Sequence, residues 1–161
     1  MTTEEFKANI MPHYMSMYRV AATVMISRDE AADAVQDAII RLWDKRDKLN
    51  NISDLKSYCI SVVRNVCINS VQRKKMTTAT ETTLDIMSDE NVHDKVEWRD
   101  FSDFVGRAIN RLPANQRYVL RLSAYGGFSN AEIADLLGMT QGNVRVLLSR
   151  ARNRLKELLS K

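Results

Sequence analysis

Two arginines near the carboxyl end of the sequence, Arg145 and Arg150, flank a set of small side chains and suit the recognition of nucleic-acid bases. An arginine can form two hydrogen bonds to the edge of a guanine, and Val146 can contact a thymine methyl group. At about 100° per residue, Gly142 and Ser149 share the face that contains Val146. A slim face of this kind can enter a major groove. The alternative interpretation is an amphipathic helix whose arginine-rich side only contacts solvent.

A helix-turn-helix is predicted around these arginines. Ser129 and Glu132 have the spacing of a capping box at the start of a short apolar helix. Gly138 can end that helix, and Thr140 can cap the next one. The second helix should turn one arc toward the core, formed by Val144, Leu147, Leu148, Ala151, Leu155 and Leu158. Two helices joined by a tight turn that contains glycine are typical of this motif.

Further cations precede the motif, on both sides of Pro113. Arg107, Arg111, Arg117 and Arg121 are predicted to contact phosphates, which set the register of a protein on DNA without reading its sequence. Simple solvation is the alternative for any one of them.

Enzymatic and metal chemistry find little support in the sequence. His13 and His93 lie in separate segments and lack ligand spacing with the two cysteines. Cys59 and Cys67 lie eight positions apart in a predicted helix, about 12 Å apart at 1.5 Å per residue, which is too far for a disulfide. We therefore expect buried structural thiols, no metal, no cofactor and no catalytic residue. No dinucleotide-binding, P-loop or nucleophile-elbow motif is present.

Almost every segment predicts helix, and the scarcity of glycine and proline disfavours a turn-rich β fold. In the first half, helices are predicted after N-caps at Thr2, Ser27 and Ser53. An apolar stripe from Phe6 to Ala21 belongs to the first of them. The expected fold is all-α, with two small helical domains joined by a flexible linker.

Charge and composition divide the sequence into three parts. Residues 76–105 carry 8 acidic and 2 basic groups, whereas residues 106–161 carry 3 acidic and 10 basic groups. A basic segment of this kind is typical of nucleic-acid binding. We predict a first domain at 1–75, a linker at 76–93 and a second domain at 94–161. No apolar run approaches the roughly 20 residues that a membrane span needs, so a soluble, cytoplasmic protein is expected.

The segment 29–43, DEAADAVQDAIIRLW, resembles region two of the sigma-70 family of RNA polymerase sigma factors. In that family the matching helix docks on the clamp of the polymerase β′ subunit. The resemblance implies polymerase contacts for Asp33, Gln36, Asp37 and Trp43. On residue chemistry alone, a plain solvated helix face is an equal alternative.

The next segment, 54–69, resembles the part of region two that opens and holds the −10 promoter element. Amides can bond the edge of a base that has left the stack, and a polar stripe can follow a single strand. A turn or cap role is an equal alternative for each asparagine. The implied −10 contacts are Asn50, Asn51, Ser57, Ser61, Arg64, Asn65, Arg73 and Lys74.

The carboxyl-terminal segments LPANQR, FSNAEIA, QGNVR and SRAR are similar to region four of the same family. The resemblance implies recognition of the −35 element by Gln141, Asn143, Arg145, Val146, Ser149 and Arg150. It also implies a sigma factor of the small extracytoplasmic-function type, which is not an enzyme. The implied partners are core RNA polymerase, through its β′ clamp and β flap, promoter DNA and an anti-sigma protein. A promoter-binding regulator that is not a polymerase subunit is the main alternative.

Overall fold

The structure is a computed structural model and describes residues 1–78 and 103–160. Within these ranges the chain forms helices and turns without a strand, which confirms the predicted all-α fold. The helices fall into two regions, α1–α5 and α6–α9, on either side of the gap. Their bounds are α1 (Thr3–Ile10), α2 (Tyr14–Val24), α3 (Arg28–Asp44), α4 (Arg46–Leu49), α5 (Leu55–Thr78), α6 (Asp103–Asn110), α7 (Ala114–Ala124), α8 (Asn130–Leu137) and α9 (Gln141–Leu159).

Helices α2, α3 and α5 pack against one another and form the core of the first region. Along α3, Ala31, Val35, Ala38 and Leu42 recur every three or four positions and are almost completely buried. This is the apolar period of a helix with one face toward the core. The alanines on that face leave room for neighbouring helices to approach closely.

The apolar stripe that predicts one long first helix is divided between two helices. Helix α1 ends at Ile10, a 3-10 turn covers Met11–His13, and α2 begins at Tyr14. Pro12 explains the break, because proline lacks the N–H that a continuous helix would need at this position. The predicted cap at Thr2 is confirmed, since its side chain accepts a hydrogen bond from the Glu5 N–H.

The start of α5 differs by one residue from the prediction. The N–H of Ser57 donates to Oδ1 of Asp54 at 3.1 Å, so Asp54, not Ser53, caps this helix. Both residue types cap helices well, and the sequence does not distinguish between two such neighbours. The predicted cap at Ser27 is confirmed by a hydrogen bond from the Glu30 N–H.

The end of α5 and the start of α6 also differ from the predicted boundaries. Helix α5 continues to Thr78, into the predicted linker, and 79–93 lie outside the described residues. Of the helix predicted at 94–111, only α6 at Asp103–Asn110 falls within them. Phe104 was expected on the apolar side of that helix but is 53% exposed.

The second region is built around α7 and α9, which pack against each other, with α8 against α9. Pro113 precedes α7 as its N-cap, which needs no N–H donor from that residue. Gly138 ends α8 with φ 67° and ψ 36°, a left-handed conformation that other residues adopt at a cost. The turn between α8 and α9 is therefore as short as a helix-turn-helix requires.

Candidate nucleic-acid interface

Helix α9 presents the six predicted base contacts to solvent. Val144, Leu148 and Ala151 are buried on the opposite side, and Leu147 is half-buried. This burial agrees with the orientation that the apolar spacing predicts. The six side chains are all exposed, namely Gln141, Asn143, Arg145, Val146, Ser149 and Arg150.

Two caps fix where α8 and α9 begin. Ser129 accepts a hydrogen bond from the Glu132 N–H at 3.1 Å, and the Glu132 carboxylate accepts one from the Ser129 N–H at 2.9 Å. This reciprocal capping box was predicted from the sequence. Thr140 accepts a hydrogen bond from the Asn143 N–H at 3.1 Å and caps α9. The first turn of α9, which carries Gln141 and Asn143, is thereby held in a defined orientation.

Arg121 corrects one of the predicted phosphate contacts. Its side chain is 5% exposed and hydrogen-bonded to Oδ1 of Asn110, so it joins α7 to the end of α6. Arg117 is half-buried and donates to the Asn110 carbonyl oxygen at 2.9 Å. Burial lowers the pKa of Arg117. Both arginines hold the second region together, whereas Arg107 and Arg111 are exposed as predicted.

On the first region, a small open cavity lies between α3 and α5. Its volume is about 160 Å³, and Ser61 and Asn65 of the predicted −10 set line it. Arg41 and Lys45, from the end of α3, line the same cavity beside Tyr58. Neither cation was predicted as a DNA contact, because the periodicity of α3 does not show which neighbouring helix its exposed residues approach.

The other predicted −10 residues differ in their surroundings. Asn50 and Asn51 are exposed at the turn before α5, and Ser57 and Arg73 are exposed on it. Lys74 instead forms an ion pair with Glu30 of α3, with Nζ and Oε1 2.5 Å apart.

Helix α3 carries an exposed acidic face. Asp33, Gln36 and Asp37 are exposed as predicted, and Ile40 is 58% exposed on the same side of the helix. Carboxylates around an exposed apolar side chain suit a partner surface that is basic and partly apolar.

Trp43, the fourth predicted polymerase contact, is half-buried and packs within the protein. Its ring meets that of Phe6 edge to face with centroids 5.1 Å apart. The guanidinium of Arg46 lies over the Trp43 ring, 4.1 Å from its centroid. These contacts tie the end of α3 to α1 and leave only part of the indole accessible.

Comparison with known families decides between a sigma factor and an ordinary regulator. Residues 10–77 match sigma-70 region 2, and residues 105–155 match sigma-70, region 4. The chain belongs to the sigma-70 family. It is a sigma factor, and it directs promoter-specific initiation of transcription by RNA polymerase.

Curated relatives show that this sigma factor is of the extracytoplasmic-function (ECF) type. The ECF RNA polymerase sigma factor SigM of Mycobacterium tuberculosis is 28% identical over 147 residues, covering 91% of this chain and 73% of the relative. The ECF RNA polymerase sigma factor EcfG of Rhodopseudomonas palustris is 26% identical over 163 residues, covering 98% and 86%. At 91% and 98% of this chain, both alignments extend into the region 2 match and into the region 4 match.

A solved structure is also similar over almost the whole sigma factor. It is the sigma factor RpoE of Bartonella quintana in a co-crystal with the anti-sigma factor NepR. The TM-score is 0.51 at 25% identity, covering 98% of each chain. This similarity extends across both helical regions.

The cysteines of the sigma factor are free thiols, and both are buried. Burial raises the pKa of Cys59 to about 11 and that of Cys67 to about 12. Among residues 1–78 and 103–160 there is no group of histidine, cysteine and acidic side chains that could hold a metal ion. Nor does any helix within the described ranges have the length and apolar character to span a membrane.

Proposed function

We propose that this sigma factor divides its work between two surfaces, α9 for duplex DNA and the first region for polymerase and melted DNA. The exposed side of α9 would enter the major groove of the −35 element. Arg145 and Arg150 would bond base edges or phosphates, and the 46% exposed Val146 would contact a thymine methyl group. The position of the buried Val144 and Leu148 behind this face supports that orientation.

The −10 element would lie along α5 and the cavity beside it. A displaced base would enter the cavity of about 160 Å³, where Ser61 and Asn65 offer hydrogen bonds and Tyr58 offers an aromatic side chain. Arg41 and Lys45 would neutralise the adjoining phosphates. Asn50 and Asn51, exposed at the turn before α5, would bond a neighbouring base.

The single observation that carries the polymerase part of the proposal is the exposed acidic face of α3. An exposed Ile40 among Asp33, Gln36 and Asp37 favours a protein partner over DNA alone. DNA would repel such a face, whereas a basic protein helix would attract it. We propose that this face contacts the β′ clamp, and that Trp43 supports it through its contacts with Phe6.

Two further partners are proposed, the β flap of polymerase and an anti-sigma protein. Apolar residues around the small cluster of the second region stay partly exposed, namely Val105, Tyr125, Leu155 and Leu158, and we propose them as the contact for the β flap. The relative in complex with NepR supports an anti-sigma partner for this chain as well. Because bacterial polymerase acts in the cytoplasm, the proposal places the protein there, with a binding role and no catalysis.

Reversing one charge on α3 tests the polymerase contact. Asp37→Arg is expected to weaken binding to core polymerase at least tenfold, because it places a cation where a basic partner surface would dock. Binding to duplex −35 DNA should not fall, since α9 is unchanged. The measurement is titration of labelled protein with core polymerase, together with transcription from a matching promoter.

Glu4→Arg is the control for Asp37→Arg, because Glu4 is exposed on α1 and the charge change is the same. It should bind core polymerase within twofold of the wild type. If Asp37→Arg binds as tightly as the control, α3 is not the polymerase surface.

A further inference from the structure

A second open cavity lies between α2, α5 and the loop that follows α7. Its volume is about 310 Å³, roughly twice that of the cavity beside Ser61 and Asn65, and the two cavities share no lining residue. Binding sites for small molecules in proteins occupy roughly 300–1,000 Å³. This cavity therefore has room for a molecule at the lower end of that range.

Three cationic side chains line this cavity. Arg19 comes from α2, whereas Lys56 and Arg64 come from α5. Lys56 and Arg64 lie eight positions apart on one side of α5, or about 12 Å along the helix, so two long side chains can reach the same ligand. Among the described residues that line the cavity, none carries a carboxylate. The lining is therefore strongly positive and suits an anion.

Arg64 is oriented at the edge of the cavity by the loop between α7 and α8. Its Nη1 donates to the carbonyl oxygen of Gly127 at 3.3 Å. Gly127 has φ 70°, and a Cβ at this position would lie 3.0 Å from Nη1 of Arg64. Glycine thus lets the guanidinium lie close to the loop backbone. A guanidinium has several N–H donors, so this one contact leaves others for a ligand.

The remaining walls combine hydroxyl groups with apolar side chains. Ser16 and Tyr125 line the cavity, and each hydroxyl can donate a hydrogen bond. Burial raises the pKa of Tyr125, so its hydroxyl keeps the proton at neutral pH. Val20 and Ile60 supply apolar surface. A few polar groups among apolar and aromatic walls are typical of a small-molecule site.

We propose that this cavity binds a small phosphorylated molecule of nucleotide size. A phosphate group carries about 1.5 to 2 negative charges near neutral pH, and its oxygens match the donors of an arginine. A second phosphate would balance the three cations more fully. Arg19, Lys56 and Arg64 would hold the phosphates. The ring of Tyr125 and the side chain of Ile60 would contact the organic part of the ligand.

DNA offers the same phosphate chemistry, and Arg64 is also proposed to contact the −10 strand. The arrangement favours a small ligand, because the cations come from two helices and surround one cavity. A single strand instead needs cations along an extended groove. Only the sharing of Arg64 rests on the proposed function, whereas binding in the cavity does not. The experiment therefore compares ADP and inorganic diphosphate with a single-stranded −10 oligonucleotide.

A carboxylate placed in the cavity tests the site directly. Ala124 is exposed at the end of α7 and lines the cavity. Ala124→Glu should weaken binding of ADP at least tenfold, because it adds a negative charge among the three cations. Ala124→Gln is the matched control, since glutamine has the same size without the charge, and it should bind ADP within threefold of the wild type.

The measurement is calorimetric titration of the full chain with each of the three probes. A salt concentration of about 0.1 M largely screens charges more than about 10 Å apart, so attraction by the overall positive charge contributes little. ADP should bind at least threefold more tightly than inorganic diphosphate, because only ADP has an organic part to contact Tyr125 and Ile60.

Removing one cation provides a second test. Lys56→Gln changes an exposed residue of the cavity and should weaken binding of ADP by about threefold to tenfold. Lys7→Gln makes the same charge change at an exposed position of α1 that does not line the cavity. It should leave the affinity for ADP within twofold of the wild type.

Three results would overturn the inference. If Ala124→Glu binds ADP as tightly as Ala124→Gln, the ligand does not occupy this cavity. If inorganic diphosphate binds as tightly as ADP, a ligand of nucleotide size is ruled out. If neither small molecule binds and Lys56→Gln weakens only the oligonucleotide, the cations serve DNA instead. Failure of the proposed function is a separate result, namely no binding of core polymerase or promoter.

Discussion

The two surfaces that are proposed to bind DNA differ in whether their side chains already make contacts within the protein. On α9 all six proposed contact residues are exposed, and the first turn of the helix is capped by Thr140. On α5, Arg64 binds the Gly127 carbonyl oxygen and Lys74 binds Glu30. The proposed duplex contacts are therefore free to bind DNA in this structure, whereas Arg64 and Lys74 would first have to exchange contacts within the protein for contacts with DNA.

The largest effect is expected on α9. Arg145→Ala should cost about 1–3 kcal/mol of discrimination between the correct −35 sequence and one with a changed base, because a bidentate arginine contact is lost. Competition binding with the two duplexes measures this.

Arg154→Ala is the matched control for Arg145→Ala, since Arg154 is exposed on the same helix but about 180° away. It should leave the discrimination unchanged. Equal loss of affinity for both duplexes in Arg145→Ala would instead make this residue a phosphate contact.

A smaller effect is expected on α5, where substitutions of the neighbouring cations Arg73 and Lys74 should give different results. Lys74→Ala removes the half-exposed ion pair with Glu30, and should lower the free energy of unfolding by about 0.2–1 kcal/mol. It should leave the salt dependence of −10 binding nearly unchanged, because Lys74 is already committed to Glu30. Denaturant unfolding and salt titrations of oligonucleotide binding give the two values.

Arg73→Ala, at an exposed position one residue away, provides the comparison. It should reduce the salt slope for single-stranded DNA by about 0.7, as expected for one lost phosphate contact. A change of the same size in Lys74→Ala would show that Lys74 leaves Glu30 to bind DNA.

The smallest effect concerns the caps of the two helices. Hydrogen bonds from the Ser57 hydroxyl and N–H lower the pKa of Asp54, which caps α5. Because the folded pKa lies below the ordinary value of 3.8, the cap contributes fully above that value. Its contribution is lost as the pH falls through the lowered pKa. The threonine cap of α9 does not titrate.

Amide chemical shifts during an acid titration measure this difference. The Ser57 amide should shift below pH 3.8, whereas the Asn143 amide, bonded to Thr140, should not shift with it. Asp54→Asn keeps a capping oxygen without a titrating proton, and should abolish the Ser57 transition. A transition that persists in this variant would come from another group.

The sequence predicts the faces of the helices well, because burial repeats with the helical period. Val144, Leu148 and Ala151 show this on α9, and Ala31 and Leu42 show it on α3. The capping box at α8 is equally local, since its two residues lie three positions apart. Features that depend on residues close together in the sequence can therefore be predicted from the sequence alone.

Features that depend on contacts between residues far apart in the sequence could not be predicted from it. Arg121 resembles the other cations around Pro113 in the sequence, yet only this one is buried against Asn110. Arg64 and Lys75 bind backbone carbonyl groups more than fifty positions away, and a carbonyl has no sequence signature. Pro12 is different, because its missing N–H is a local signal, and it breaks the helix that the apolar spacing alone predicts to be continuous.

The carboxylate of Glu30 makes two contacts within the first region. Its Oε2 accepts a hydrogen bond from the Ile26 N–H before α3, while its Oε1 holds Lys74 near the far end of α5. Helix α3 and the far end of α5 thus share one carboxylate, so a movement of α3 would also disturb the contact with Lys74. If α3 binds polymerase and α5 binds the promoter as proposed, a substitution that tilts α3 would also move Lys74, and both affinities would change together.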